Sequence, residues 1–174
     1  VQSVSGSLRF VSKVAIASYL AGVVESETGA KRALEFYKAQ SVICRTYTVG
    51  HMNRHAQEGF HLCDGVHCQA YYNRNKYDMS ITKAVKATND FVITYKDSSL
   101  TEAVFSANCG GITNNSEDVW KRAMPYLRSV IDTFCITEKQ ATWEKEIPTE
   151  QWTKYVAQKV QKDLERLDSL PVSF

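Results

Sequence analysis

Apolar positions Val14, Ile16, Ala17, Leu20, Val23 and Val24 recur at helical spacing and predict a helix over residues 12–26. Thr28-Gly29 interrupts it, and a second helical pattern runs through Ala33, Leu34, Tyr37, Ser41, Val42 and Cys44, roughly to Val49. Ahead of both, the loose alternation of Val4, Leu8 and Phe10 predicts a short leading strand. Residues 50–64 are rich in His, Asn, Gln and Gly and read as a loop. A helix follows from about Ser80 to Thr88. Phe91–Tyr95 and Leu100–Ala107, separated by the turn Lys96-Asp97-Ser98-Ser99, predict a β-hairpin. Trp152, Tyr155, Val156, Val160, Leu164 and Leu167 mark an amphipathic helix over residues 149–168. No repeat or linker-like shift interrupts the chain. The pattern predicts one α+β domain over residues 1–174, with helices packed on a small antiparallel sheet.

The first helix carries the most informative local feature. Its apolar run ends at Glu25 and Glu27, just before the pattern breaks. Burial at such a place raises a carboxylate pKa and suits it to general acid work. The alternative is a pair of charges that solvate a helix end. The two glutamates lie about 200° apart around a helix, so they do not share a face.

Composition narrows the choice of partner. The chain has 174 residues, 44% hydrophobic and 23% charged, with a net charge of +2. That balance is globular, and it provides no basic stripe for nucleic acid or an anionic membrane. The longest apolar stretch, Val14–Val24, is interrupted by Ser18 and is too short to span a bilayer. No leader or anchor pattern is read in these residues, so composition leaves the compartment open.

Five cysteines, an odd number, argue against a fully paired disulfide framework. Residues 55–68 hold three of the four histidines and two of those cysteines. Thiolate and imidazole are the ligand mix of structural zinc, and His55, Cys63, His67 and Cys68 make a Cys2His2 set, with His61 in reserve. His67 and Cys68 are neighbours, so both can bind one ion only if the backbone turns near Asp64-Gly65. A polar loop with a free thiol or a Cys63–Cys68 disulfide is the alternative. Cys44 and Cys135 read as small buried apolar residues.

Several segments, taken in order, resemble the stage II sporulation protein D family, which includes the amidase enhancers. Tyr19-Leu20-Ala21-Gly22-Val23-Val24-Glu25-Ser26-Glu27 resembles its opening motif, and Tyr37–Tyr47 its "KAQAVAARTY" segment. Cys63-Asp64 with His67-Cys68-Gln69-Ala70-Tyr71 resembles the "D…QVY" region of a Cys/His-bearing branch. Ala84–Thr88, Ser106–Thr113, Glu117–Trp120 and Pro125-Tyr126-Leu127 complete the order. The likeness covers roughly residues 10–130.

What the resemblance implies is lytic transglycosylase activity on peptidoglycan glycan strands, with peptide-stripped glycan as the preferred substrate in sporulating bacteria. The family's catalytic glutamate falls on Glu27; here Thr28 replaces the common Met, and the usual following Pro is absent. A non-catalytic amidase enhancer is the alternative. The resemblance also implies an extracytoplasmic place in the cell envelope. Its partners there would be glycan strands, an amidase and membrane-anchored cell-wall proteins, with no nucleic acid among them.

One glutamate is enough for this chemistry. The muramic acid's own 6-hydroxyl attacks C1, so the enzyme need supply neither water nor a nucleophile. Around Glu27, Arg45 reads either as a sugar ligand or as a salt-bridge partner of that glutamate. Gln40, Ser106 and Asn108 are further substrate-binding candidates, and Tyr126 either stacks on a sugar or belongs to the core.

Overall fold

The computed structural model describes residues 1–72 and 78–168, with backbone only for 163–168. Two compact units emerge, Val1–Ser106 and Ala107–Phe174. In the first, strands β1 (Gln2–Val4) and β2 (Ser7–Arg9) pair antiparallel, with Gln2 opposite Arg9. Helices α1 (Ile16–Thr28), α2 (Leu34–Gly50) and α3 (Met79–Ala87) follow, with a 3₁₀ turn at Ala56–Glu58 between the last two. The second unit holds α4 (Ser116–Trp120) and α5 (Thr149–Asp168).

Helices are therefore joined by one small two-stranded antiparallel sheet, but the sheet is not what they pack on. The core of the first unit is helix against helix. Leu20, Ala21, Val23 and Val24 from α1 meet Tyr37 and Cys44 from α2 and Ile81, Ala84 and Val85 from α3. Each helix carries one apolar stripe, and three stripes close on one another without a sheet face. The predicted leading strand is in fact the whole β1–β2 hairpin, turned at Ser5-Gly6. The predicted hairpin at 91–107 contributes a single antiparallel bridge, Thr94 to Leu100.

Local signals set the helix ends. α1 stops at Gly29, which takes φ 71° while its N–H donates to the Glu25 carbonyl. That left-handed step costs glycine least. Asp78 caps α3, its carboxylate accepting the Ser80 N–H at 2.9 Å. It also accepts the Lys31 N–H and the Tyr37 hydroxyl, at 3.0 and 3.1 Å, which ties α3 to the α1–α2 turn.

Arg45 closes the other end of α3. Its Nη1 donates to the carbonyls of Thr88 (2.7 Å) and Phe91 (3.2 Å), and its Nη2 to that of Val85 (3.1 Å). Arg45 is 5% exposed. The expectation that it holds a sugar or pairs with Glu27 is corrected: the guanidinium satisfies the orphan carbonyls of a helix C-terminus.

The second unit is organised by polar contacts. Ile112 bridges Ile131 antiparallel, and Thr113 N–H donates to Val130 O at 2.9 Å. Ser116 is buried, its Oγ accepting from Met124 N–H (2.8 Å) and Arg128 Nη2 (3.1 Å). Arg128 also donates from both terminal nitrogens to the Glu117 carboxylate. That pairing holds the Glu117 carboxyl at about 2, well below the usual carboxylate range.

Replacing Arg45 by Met removes the three guanidinium hydrogen bonds to the Val85, Thr88 and Phe91 carbonyls and should cost about 2–4 kcal/mol in urea denaturation followed by far-UV circular dichroism. A loss under about 0.5 kcal/mol would refute the capping role. For Glu117, the folded pKa of about 2 lies below the ordinary 4.5. Its contribution is therefore complete above pH 4.5 and lost as pH falls toward 2. All three tryptophans (Trp120, Trp143 and Trp152) lie in the second unit, so their fluorescence reports its melting. Glu117→Gln should lower that melting temperature at pH 7, and the gap from the parent should close near pH 2.

Candidate functional site

The turn at Asp64-Gly65 decides the geometry of the Cys/His loop. Cys68 N–H donates to Gly65 O at 3.1 Å, and Tyr71 N–H to Asp64 O at 2.9 Å. The chain folds back there, which lets the neighbours His67 and Cys68 address one point. The candidate ligand atoms of His55, Cys63, His67 and Cys68 all lie within 4.8 Å of one another. His67 Nδ1 is 3.8 Å from Cys63 Sγ and 3.7 Å from Cys68 Sγ. His61 is not in this group.

The donor set suits a soft divalent cation. His55 Nδ1 pairs with the Glu58 carboxylate, and Arg9 reaches Glu58 at 3.0 Å. Phe60 stacks on the His55 ring with centroids 4.6 Å apart. Meanwhile His55 Nε2 is buried without a hydrogen-bond partner. A carboxylate on one ring nitrogen and an orphaned second nitrogen is the usual arrangement around a metal-bound histidine. Burial pushes the Cys63 thiol up, but hydrogen bonds from His67, the Gly65 backbone, Cys68 and His55 outweigh it and bring its pKa down to about 6. The residues present therefore fit a four-coordinate zinc.

Directly after this loop, Gln69-Ala70-Tyr71 straps the ends of α1 and α2 together. Gln69 is buried; its Oε1 accepts from Thr48 Oγ1 at 2.8 Å and its Nε2 donates to Cys44 O at 3.3 Å. Ala70 N–H donates to Glu27 Oε1 at 2.9 Å, and Tyr72 N–H to Ser26 Oγ at 3.1 Å. The Tyr71 ring lies on Gly22, where an added Cβ would meet it at 2.6 Å. Only a glycine at that helical position admits the ring so closely.

The two glutamates of the opening motif part company. Glu25 is the buried one, 5% exposed, while Glu27 is exposed at the last turn of α1. Desolvation was the expected virtue of this carboxylate pair, and it belongs to Glu25. What distinguishes Glu27 is orientation, since the backbone of the strap fixes one of its oxygens.

The other expected ligands scatter. Gln40 is 5% exposed with its Nε2 3.6 Å from Cys44 Sγ, a core contact within α2 rather than a surface open to a sugar. Ser106 is exposed and ends the first unit. Asn108 belongs to the second, where its side chain accepts Gly110 N–H at 2.7 Å and donates to Cys135 O at 3.1 Å. Tyr126, half-buried, lies in the second unit too. Cys44 is fully buried, as expected, but Cys135 is half-buried beside Asp132.

Sequence reasoning missed Tyr19. Its hydroxyl is buried without a hydrogen-bond partner, and its ring packs on Tyr71 at 5.0 Å. Burial first, then the charges of Cys68, Cys44 and Cys63, push its hydroxyl pKa far up. Tyr19 also lines a groove of about 1150 Å³, with Phe10, Val14, Cys63, Tyr71 and Tyr72. Glu27 lies outside that lining. Tyr19 is not among the apolar positions of the helical period, and nothing local signals that its hydroxyl is buried.

Comparison with known proteins adds the following. A family model described as stage II sporulation protein matches residues 4–95. An uncharacterized protein of Brachyspira hyodysenteriae is 32% identical over 126 residues, 72% of this chain and 34% of that protein. The "Amidase enhancer" of Bacillus subtilis is 35% identical over 66% of this chain and 15% of its own. "Stage II sporulation protein D" of the same organism is 30% identical over 83% of this chain and 43% of its own. The chain thus spans less than half of each of these relatives.

Gln69→Leu removes both side-chain anchors of the strap and leaves the Thr48 hydroxyl only its bond to the Cys44 carbonyl. It should cost about 1–3 kcal/mol and speed hydrogen exchange at the Ala70 and Tyr71 amides, read by mass spectrometry. Unchanged exchange there would show that Gln69 does not hold the strap.

Proposed function

Because the chain belongs to the stage II sporulation protein D family, we propose that it acts on the cell wall as a lytic transglycosylase, with Glu27 as its acid and base. One observation carries this reading: an exposed carboxylate at a helix end with one oxygen held by the Ala70 amide. The last turn of α1 faces the negative end of the helix dipole, so α1 gains no stability from a carboxylate there. The buried Glu25 cannot reach a polymer. Glu117 is committed to Arg128. A mechanism that needs one carboxyl fits these residues better than one that needs two.

In this mechanism the protonated Glu27 gives its proton to the oxygen leaving muramic acid C1. The sugar's own 6-hydroxyl then attacks C1 and passes its proton to the same carboxylate, which leaves a 1,6-anhydro end. Ala70 keeps Oε1 in place through both transfers.

His55, Cys63, His67 and Cys68 would hold a structural zinc, whose chemistry is a four-ligand cross-link of the loop. Cys68 precedes the strap directly, so fixing it also limits the freedom of Ala70. The substrate in this reading is peptidoglycan glycan, probed best in its peptide-stripped form, and the location is the extracytoplasmic envelope. An amidase and membrane-anchored wall proteins would be its partners. The similarity to an amidase enhancer supports a second reading, in which the domain binds the wall and stimulates an amidase without cutting glycan.

Incubation with peptide-free glycan strands should release 1,6-anhydro ends detectable by mass spectrometry. Glu27→Gln should cut that release by about 10²–10⁴-fold without lowering the melting temperature. Stimulation of an amidase with no anhydro product from the parent protein would sink the catalytic reading and leave the second. Protein purified without chelator should carry about one zinc per chain by mass spectrometric metal analysis. Cys63→Ser should lose it and melt earlier, and a metal-free parent would refute the zinc assignment.

A further inference from the structure

A second group of donors lies in the second unit. Cys135 Sγ donates to Asp132 Oδ2 at 3.1 Å, and Cys109 Sγ to the same oxygen at 3.5 Å. The two sulfurs and the carboxylate all lie within 4.8 Å of one another. The segments that carry them are already paired. Asp132 N–H donates to Gly111 O at 2.8 Å, Ile112 bridges Ile131, and Asn108 Nδ2 donates to Cys135 O. Both thiols are half-buried, so a small reagent can reach them.

The described residues of the unit around them form no apolar core. Among its described residues only Gly111 and Ser116 are buried, while Trp120, Ile131, Phe134, Ile136 and Trp143 are exposed. A small unit that buries so little apolar surface depends on other cross-links.

We propose that Cys109 and Cys135 form a disulfide that staples the second unit. The oxidant is an external small-molecule disulfide. The Cys109 thiolate attacks one of its sulfurs and expels one thiolate; Cys135 then attacks the Cys109 sulfur and expels the second. The two protein sulfurs are oxidised and the external disulfide is reduced. The protons of Cys109 and Cys135 end on the two released thiols.

A metal suits this group less well. It offers three donors and no histidine, one short of a closed structural zinc site. Although the Cys109 backbone hydrogen bond draws the Cys135 pKa down, the Asp132 carboxylate, the Cys109 sulfur and burial together push it up to about 11. A metal must expel that proton, whereas a disulfide places no charge beside Asp132. The bond closes the chain from 109 to 135 around α4 and the Glu117–Arg128 pair. Closing a loop of this length restricts the unfolded chain substantially.

The test equilibrates the whole chain with oxidised glutathione, then counts thiols in denaturant with a chelator. Three of the five cysteines should react, and a non-reducing peptide map should link Cys109 to Cys135. Reduction should lower the tryptophan-reported melting temperature by roughly ten degrees and leave that of a Cys109→Ser/Cys135→Ser double variant unmoved. Should the double variant fail to fold, the peptide map of the parent decides alone. Five reactive thiols overturn the proposal, as does a Cys63–Cys68 link. Two zinc ions per chain, one of them lost in Cys135→Ser, would replace it with a second metal site.

Discussion

The hydrogen bond from the Ala70 amide to Glu27 is the contact on which the arrangement of the first unit's site turns. It joins the end of α1 to the strap and, through the strap, to the adjoining Cys/His loop, more than forty residues further along the chain. Ala70 can make it only because Gln69 is buried against α2 and Tyr71 rests on Gly22. A backbone donor suits the task. It has no rotamer of its own, so the carboxylate it holds inherits the rigidity of the helices beneath.

Those helices derive their rigidity from two sources. Burial of small and branched side chains, Val23, Val24, Ala84 and Val85 among them, lets α1, α2 and α3 approach closely. Buried polar anchors then fix the register: Arg45 on the carbonyls at the end of α3, and Asp78 at its start. Each of these polar groups finds several partners, so its burial specifies the packing instead of opposing it.

The second unit follows a different logic. Its order rests on hydrogen bonds and one ion-paired arginine, with little apolar surface removed from water. Two half-buried thiols meet there, and a covalent bond between them would offset the missing core. In the first unit the same residue type does other things. Cys44 fills a gap among apolar neighbours, while Cys63 and Cys68 stand with histidines around an orphaned ring nitrogen. Neighbours, not spacing alone, separate these three uses.

By itself the sequence determined the helices, because an apolar stripe at period 3.6 is a local signal: α1, α2, α3 and α5 fall within a few residues of expectation. It also singled out His55, Cys63, His67 and Cys68 as candidate ligands, and their candidate atoms gather within 4.8 Å, since four such residues within fourteen positions can meet through one turn. Motif order pointed to the family and to Glu27 over Glu25. Tertiary structure decided what depends on distant partners. It put Glu25 in the core and Glu27 at the surface, turned Arg45 to α3 and buried Gln40. It brought Cys109 to Cys135 across 26 residues of chain. It also replaced the expected helix-on-sheet packing by three helices closed on each other. Burial and hydrogen-bond partners are properties of surfaces that meet, and no local pattern states which surfaces those will be.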